Sequence, residues 1–281
     1  SNDDMYLDVS SFVYEDLADK SNDRYEYILP NILFGKTFLS EKFGSFDLKS
    51  NALYKNYDGN KYMTSLTNDV IWSAGNKITP KGFVNTLEGM IKNTNYNAKN
   101  TIDYKTNKTV NELSSVLTFK SSLPMEKKGI NLSKIFSPNV MLRYAPGHMR
   151  DLSGENVTLN YANLYAMNKT ADIENGLSAI IGFDYKATRK SKEKTDKDKF
   201  SMSIGQVFRS QRNENIPSRS SLDQKMSDMG GEMNYNFSKI GNVSYKFSLD
   251  HNFNTLNYNS VSTRLNFGKV GFNLDYLEEQ N

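Results

Sequence analysis

Apolar and polar residues alternate one by one along much of this sequence, and that period of two decides what the chain can fold into. Met233, Tyr235 and Phe237 oppose Glu232, Asn234 and Asn236, while Val243, Tyr245, Phe247 and Leu249 oppose Ser244, Lys246, Ser248 and Asp250. Val270, Phe272, Leu274 and Tyr276 oppose Gly271, Asn273 and Asp275, and the pattern also runs through Phe46–Tyr54 and Phe200–Ile204. Successive side chains of a strand point to opposite faces, so such runs read as strands with one apolar and one wet face. No segment of comparable length carries apolar residues at helical spacing. The alternation predicts about 13 strands, many of about 10 residues. Their approximate spans are 5–15, 24–37, 43–55, 61–73, 82–93, 107–120, 138–145, 177–187, 200–210, 230–238, 242–252, 257–267 and 270–277. The fold class expected is all-β, an antiparallel up-and-down meander.

Turn chemistry agrees. Ser238–Asn242 and Gly268–Lys269 read as hairpin turns, and Asp58–Gly59 carries an Asp-Gly turn signal. The stretches 146–176, 188–199 and 211–229 read as long polar connections.

Two architectures suit long antiparallel strands. In a soluble sandwich two apolar faces meet, and strands average about 5–6 residues. In a transmembrane β-barrel the apolar face meets lipid, and strands run to about 9–11 residues. Strand length favours the barrel. So does a polar face of Asn, Ser, Gly and Asp with single Lys residues, as suits a hydrated lumen. Aromatics near strand ends, among them Tyr14, Trp72, Tyr144 and Tyr276, suit interfacial girdles. Tyr and Phe also simply favour strands, so the sandwich stays open at this point. On the barrel reading Asn234, Asn236, Ser244, Lys246, Ser248 and Asn273 face the lumen. Val243, Tyr245, Phe247, Leu249, Phe272 and Leu274 then face lipid.

Composition closes other routes. The 281 residues carry a net charge of +3, with both signs spread along the chain, so no nucleic-acid footprint is present. No apolar stretch is long enough for a transmembrane helix. With no Cys there is no disulfide framework and no thiolate metal site. Aromatics at 12% argue against disorder.

Signs of chemistry are few. The two histidines are His148, at the start of a loop, and His251, beside Asp250 at a strand end. Neither sits in a metal-ligand spacing. A Ser-His-acid trio could be assembled across neighbouring strands, but no Ser lies in a nucleophile elbow, and we read His251 as an exposed strand-end residue. Gly35, Gly44, Gly59, Gly75 and Gly82 are spread as turn residues and form no phosphate cradle. Asp196 and Asp198 lack the rest of a calcium loop. Arg189, Lys190, Lys192, Lys194, Lys197 and Lys199 read as a solvated loop; the sharper reading is contact with anionic sugar-lipid phosphates at a membrane surface. No enzyme, no metal and no cofactor is expected.

Several segments, in order, resemble one family. Tyr27-Ile28-Leu29-Pro30-Asn31-Ile32 followed by Gly44–Tyr54 resembles a passage of the LPS-assembly outer-membrane protein family (LptD, or organic solvent tolerance), particularly its alphaproteobacterial branch. Phe136–Pro146 resembles the family's Pro-containing strand that leads to a long loop. Asn163–Lys169 followed by Asp172–Gly176 is similar to its "N-L-F-x-x-N-R … D-R-hydrophobic-E-x-G" segment, and Phe200–Phe208 to its "S-hydrophobic-G-Q" strand. The matches cover most of 25–277. Departures exist: Asp172 is followed directly by Ile173 where the family has Arg, and the family's Cys residues have no counterpart.

The resemblance implies an outer-membrane barrel that transports and inserts lipopolysaccharide into the outer leaflet. A lipoprotein plug (LptE-like) and a periplasmic LPS-bridge protein are the implied partners, with the lipid bilayer around the wall. The alternative of another class is a passive diffusion porin-like channel. On the family reading, residues 1–281 are part of a larger barrel, without its periplasmic N-terminal domain and terminal strands. An incomplete wall with edges at Met5–Glu15 and Val270–Leu277 is then expected, with the loops 146–176 and 211–229 on one rim.

Overall fold

The computed structural model describes residues 5–17, 24–57, 59–101, 108–190, 197–237 and 240–280. Two compact units emerge. The first takes the chain up to Gly75, Glu88–Leu117 and Pro146–His148; the second takes Asn76–Leu87, Thr118–Ala145 and the chain from Met149 onward.

The first unit holds β1 (Met5–Glu15), β2 (Tyr25–Ser40), β3 (Gly44–Tyr57) and most of β4 (Tyr62–Ile78), β5 (Val84–Lys99) and β6 (Val110–Ser122). The second holds β7 (Met125–Lys128), β8 (Leu132–Ala145), α1 (Tyr161–Leu164), β9 (Gly176–Arg189), β10 (Lys197–Arg209), a 3-10 turn at Arg219–Ser221, β11 (Met226–Asn236), β12 (Gly241–Leu249), β13 (Leu256–Phe267) and β14 (Val270–Glu279). Hydrogen-bonded neighbours follow chain order from β1 to β14, with β7 off this path beside β8. Among the described residues β1 pairs with β2 and β14 with β13, so the strand order has two ends. The antiparallel meander expected from the alternation is the fold, and the only helical pieces among the described residues are α1 and the 3-10 turn.

The one strand the alternation missed is β7. Its four residues, Met-Glu-Lys-Lys, are too few to show a period. The strand β8 begins at Leu132, six residues before the expected start at Pro138, where proline reads as a strand boundary. It lies inside the strand because β7 pairs only as far as Phe136, and beyond it the Leu123 N–H donates to the Pro138 carbonyl at 3.1 Å. A residue's N–H and C=O point the same way, so the N–H that Pro138 lacks would face the end of a strand, where no ladder bond is broken. Leu29–Pro30 likewise falls at a bulge, where β2 slips register against both β1 and β3. The strands β9 and β10 take residues 188–189 and 197–199 of the expected 188–199 loop; its residues 191–196, with Lys192, Lys194 and Asp196, lie outside the described residues, as do Asp58 and part of the Ser238–Asn242 turn.

In the second unit the two sheet faces differ sharply. Along β8, Asn139, Met141, Arg143 and Ala145 are buried, while Val140, Leu142 and Tyr144 between them are exposed, Leu142 by 50%. On β9, Ser178 and Ile180 are buried and Leu177 and Ile181 exposed. What covers the buried face is the chain itself. The connections after β8 and β10 are polar in composition, yet Leu159, Leu164, Ile216 and Leu222 from them pack on Met141, Ile180 and Val207 as one core. Their apolar residues are spaced irregularly, without a period of 2 or 3.6, which is why no element was assigned there. The two connections also bond to each other, Leu152 N–H to the Asn215 carbonyl at 2.8 Å and Leu159 N–H to Ser220 Oγ at 3.0 Å. They lie together, at the end where β8 and β10 finish.

The opposite face stays apolar and open. Phe272, Leu274 and Tyr276 of β14 are exposed, Leu274 by 72%. On that face the Phe247 side chain is buried. It pairs with Gly231 across β11 and β12, and its ring lies over the space a side chain would fill there, 2.3 Å from where a Cβ would be. The ring is therefore nearly buried by its neighbours within the face.

Candidate functional site

The covered face of the second unit gathers the polar residues. Register pairs Ser244 with Asn234, Lys246 with Glu232 and Ser248 with Gly230. Asn273 pairs with Arg264, which pairs with Asn242, which pairs with Asn236. All six residues singled out from the sequence therefore share one sheet face. It is the face on which the inserted connections lie, since Gly205, Gly230 and Ser203 belong to it and Leu164 and Asn160 stand over them. Ser248 is fully buried and donates to Asp228 at 3.2 Å. Asn234 donates to Glu232 at 2.9 Å, and Asn236 to the Asp198 carbonyl at 2.8 Å. Asn273 is exposed.

Three acidic residues, none of them singled out as a site residue from the sequence, hold the connections on this face. Asp184 of β9 accepts from Asn139 of β8 at 2.6 Å, from Ser203 of β10 at 2.6 Å, and from the Tyr161 hydroxyl of α1. Burial, and then the Asp184 charge, push the Tyr161 phenol well above its ordinary pKa; Tyr165 rises for the same two reasons. Asn160 and Asn163 cap α1 reciprocally, each side chain accepting from the other's backbone N–H, which lets four residues hold a helical turn. Glycine admits this turn to the sheet. A Cβ on Gly182 would stand 2.2 Å from the Ile204 carbonyl oxygen and 2.5 Å from Tyr165 Oη. Gly182→Ala is expected to cost about 1–3 kcal/mol by overpacking and to expose 149–175 to limited proteolysis, measured as the rate of cleavage within that segment.

Asp228 of β11, fully buried, accepts from Ser221 at 2.8 Å, Ser248 at 3.2 Å and Asn257 at 2.7 Å. Its carboxylate also comes within 4.8 Å of Asp250 and His251 ligand atoms, a grouping of metal-binding type. Asp228 lies in β11 and the other two in the turn after β12, so linear spacing is silent on it. His251 Nδ1 stands 2.9 Å from Asp250 Oδ1. The Ser221 and Ser248 hydroxyls donate to the Asp228 carboxylate and so tie the connection to β11 and β12. His148 lies apart, in the first unit, 3.6 Å from Glu112. Asp198, from the basic connection, pairs with Lys186 of β9 at 2.8 Å.

The third acid is Glu174. Its Oε1 accepts the Lys169 backbone N–H at 2.6 Å and its Oε2 accepts from the Arg209 guanidinium. Arg143 of β8 lies beside them, its Nε donating to the Met167 carbonyl at 2.5 Å and its Nη2 to Asn168 at 3.2 Å. Burial opposes ionisation of Glu174, but Lys169, Arg209 and Arg143 outweigh it and hold the carboxyl at about 2, below its ordinary 4.5. Its contribution to stability is therefore complete above pH 4.5 and is lost as pH falls from there toward 2. An acid titration followed by protease sensitivity of 149–175 should show the connection loosening over that window.

Lys169 and Glu174 stand in the segment Asn163–Gly176 quoted above; Arg143 and Arg209 were detectable only as charges at inward positions of otherwise alternating strands. The family model described as LptD, LPS transport system D, matches residues 1–281. No curated protein matches the chain.

Proposed function

The chain belongs to the LptD family, and from that premise we propose that it forms part of the wall through which lipopolysaccharide reaches the outer leaflet of the outer membrane. The family is one of outer-membrane LPS transport and assembly and not of enzymes. The observation that carries the finer reading is the division of the second unit into two faces, one apolar and open, the other polar and overlaid by the chain's own connections.

On this reading the face with Leu142, Ile181 and Leu274 meets the bilayer and the face with Asn234, Asn236, Ser244, Lys246, Ser248 and Asn273 meets the lumen. Exposed apolar area on this scale is costly in water and favourable in lipid. Asn, Ser and Lys side chains exchange hydrogen bonds with a hydroxylated, phosphorylated saccharide and with water at little net cost, so the sugar is not trapped as it moves. No bond is made or broken. The lipoprotein plug and the periplasmic bridge enter as partners through the family alone.

Photocrosslinking in cells tests the assignment. A photoreactive side chain at Asn234 or Lys246 is expected to give LPS adducts, and one at Tyr245 or Ile181 is not. The reverse pattern inverts the wall. Absence of LPS adducts together with steady ion conductance of the purified protein supports the porin-like alternative.

A further inference from the structure

We propose that a small, acceptor-only anion of the chloride class binds among Arg143, Lys169 and Arg209 and fixes the 149–175 connection to the strands.

The argument starts from charge. Three cations surround one acid, and all four residues are at least nine-tenths buried, Arg143 and Glu174 at 1% exposure. Both Glu174 oxygens are engaged, by the Lys169 backbone and by Arg209. That leaves two positive charges uncompensated in the interior, where an unpaired ion has lost its hydration without an opposite charge in exchange. It also leaves donors without acceptors: Arg143 Nη1, Arg209 Nε and Lys169 Nζ are buried and have no hydrogen-bond partner, and the adjoining Ser178 Oγ has none either.

Proton loss does not resolve this. A guanidinium keeps its proton in proteins, so Arg143 and Arg209 stay charged. Only Lys169 can become neutral. Burial, opposed by Glu174 and reinforced by Arg143 and Arg209, lowers it to about 8, so it is largely protonated at neutral pH. Its neutral form would still leave one net charge and two unpaired guanidinium N–H groups. A water molecule would accept hydrogen bonds but carries no charge. A small anion meets both needs, and donors alone around it select against groups that must donate.

The site joins β8 and the end of β10 to the connection between β8 and β9, so its occupant would hold that connection down. Lys169 charges as pH falls through about 8, facing Arg143 from β8, Arg209 from β10 and Glu174 from its own segment. The anion should therefore bind more tightly below that pH and more weakly above it.

Crystals of the full-length protein soaked in bromide give the direct test. An anomalous peak is expected within hydrogen-bonding distance of Arg143 Nη1 and Lys169 Nζ. Bromide at surface positions only, an adventitious ion only, overturns the proposal. Unfolding of the wild-type protein in detergent supplies a second measure that needs no variant. At constant ionic strength, replacing chloride by gluconate should lower the Tm by several degrees below pH 8 and by little well above it. Equal Tm values in the two salts at neutral pH overturn the proposal. In Lys169→Met the salt difference at neutral pH should shrink to the small value expected of the wild type well above pH 8, whereas a merely structural role for Lys169 would leave it intact. Neither test involves LPS, so failure here leaves the transport reading standing.

Discussion

Glu174→Gln is expected to destabilise the second unit by about 3–5 kcal/mol, the cost of removing one partner from a buried ion cluster. The substitution keeps shape and volume while deleting the carboxylate against which Arg143, Lys169 and Arg209 are set. Three buried cations then repel one another, and the connection that carries Lys169 is the part free to move away. Urea unfolding of the purified protein in detergent measures the loss, and limited proteolysis of 149–175 locates it. A change within about 0.5 kcal/mol, the range for inert surface substitutions, would sink the view that this cluster holds the connection in place. Arg209→Gln should destabilise less, because it leaves the carboxylate with two cations.

Ile181→Arg is the second large effect, about 2–4 kcal/mol if the position lies near mid-membrane. Ile181 sits midway along β9, is 51% exposed, and faces away from Ile180, which the connections bury. The cost arises only if hydrocarbon surrounds that face, since a charged side chain loses its hydration there. Asn273→Arg, on the opposite face and exposed, should be nearly neutral. Refolding into lipid vesicles, followed by urea titration, compares the two. Equal, small effects would place water on both faces and return the chain to the soluble class.

The period-two alternation by itself determined the longer strands and the membership of each face. Side-chain direction in a strand depends only on position parity, a local property that survives without any tertiary context. Hence Ser244, Lys246 and Ser248 could be assigned to one face and Val243 and Tyr245 to the other before any pairing was known. Only the tertiary structure decided that the connections after β8 and β10 cover the polar face. Buried Leu159, Leu164, Ile216 and Leu222 carry no period, because irregular backbone imposes none. It also decided which charges meet. Arg143, Glu174 and Arg209 come from two strands and a connection, and Asp228 of β11 joins Asp250 and His251 from the turn after β12. Such encounters depend on register and on how the chain folds back, two long-range quantities that the local pattern does not contain.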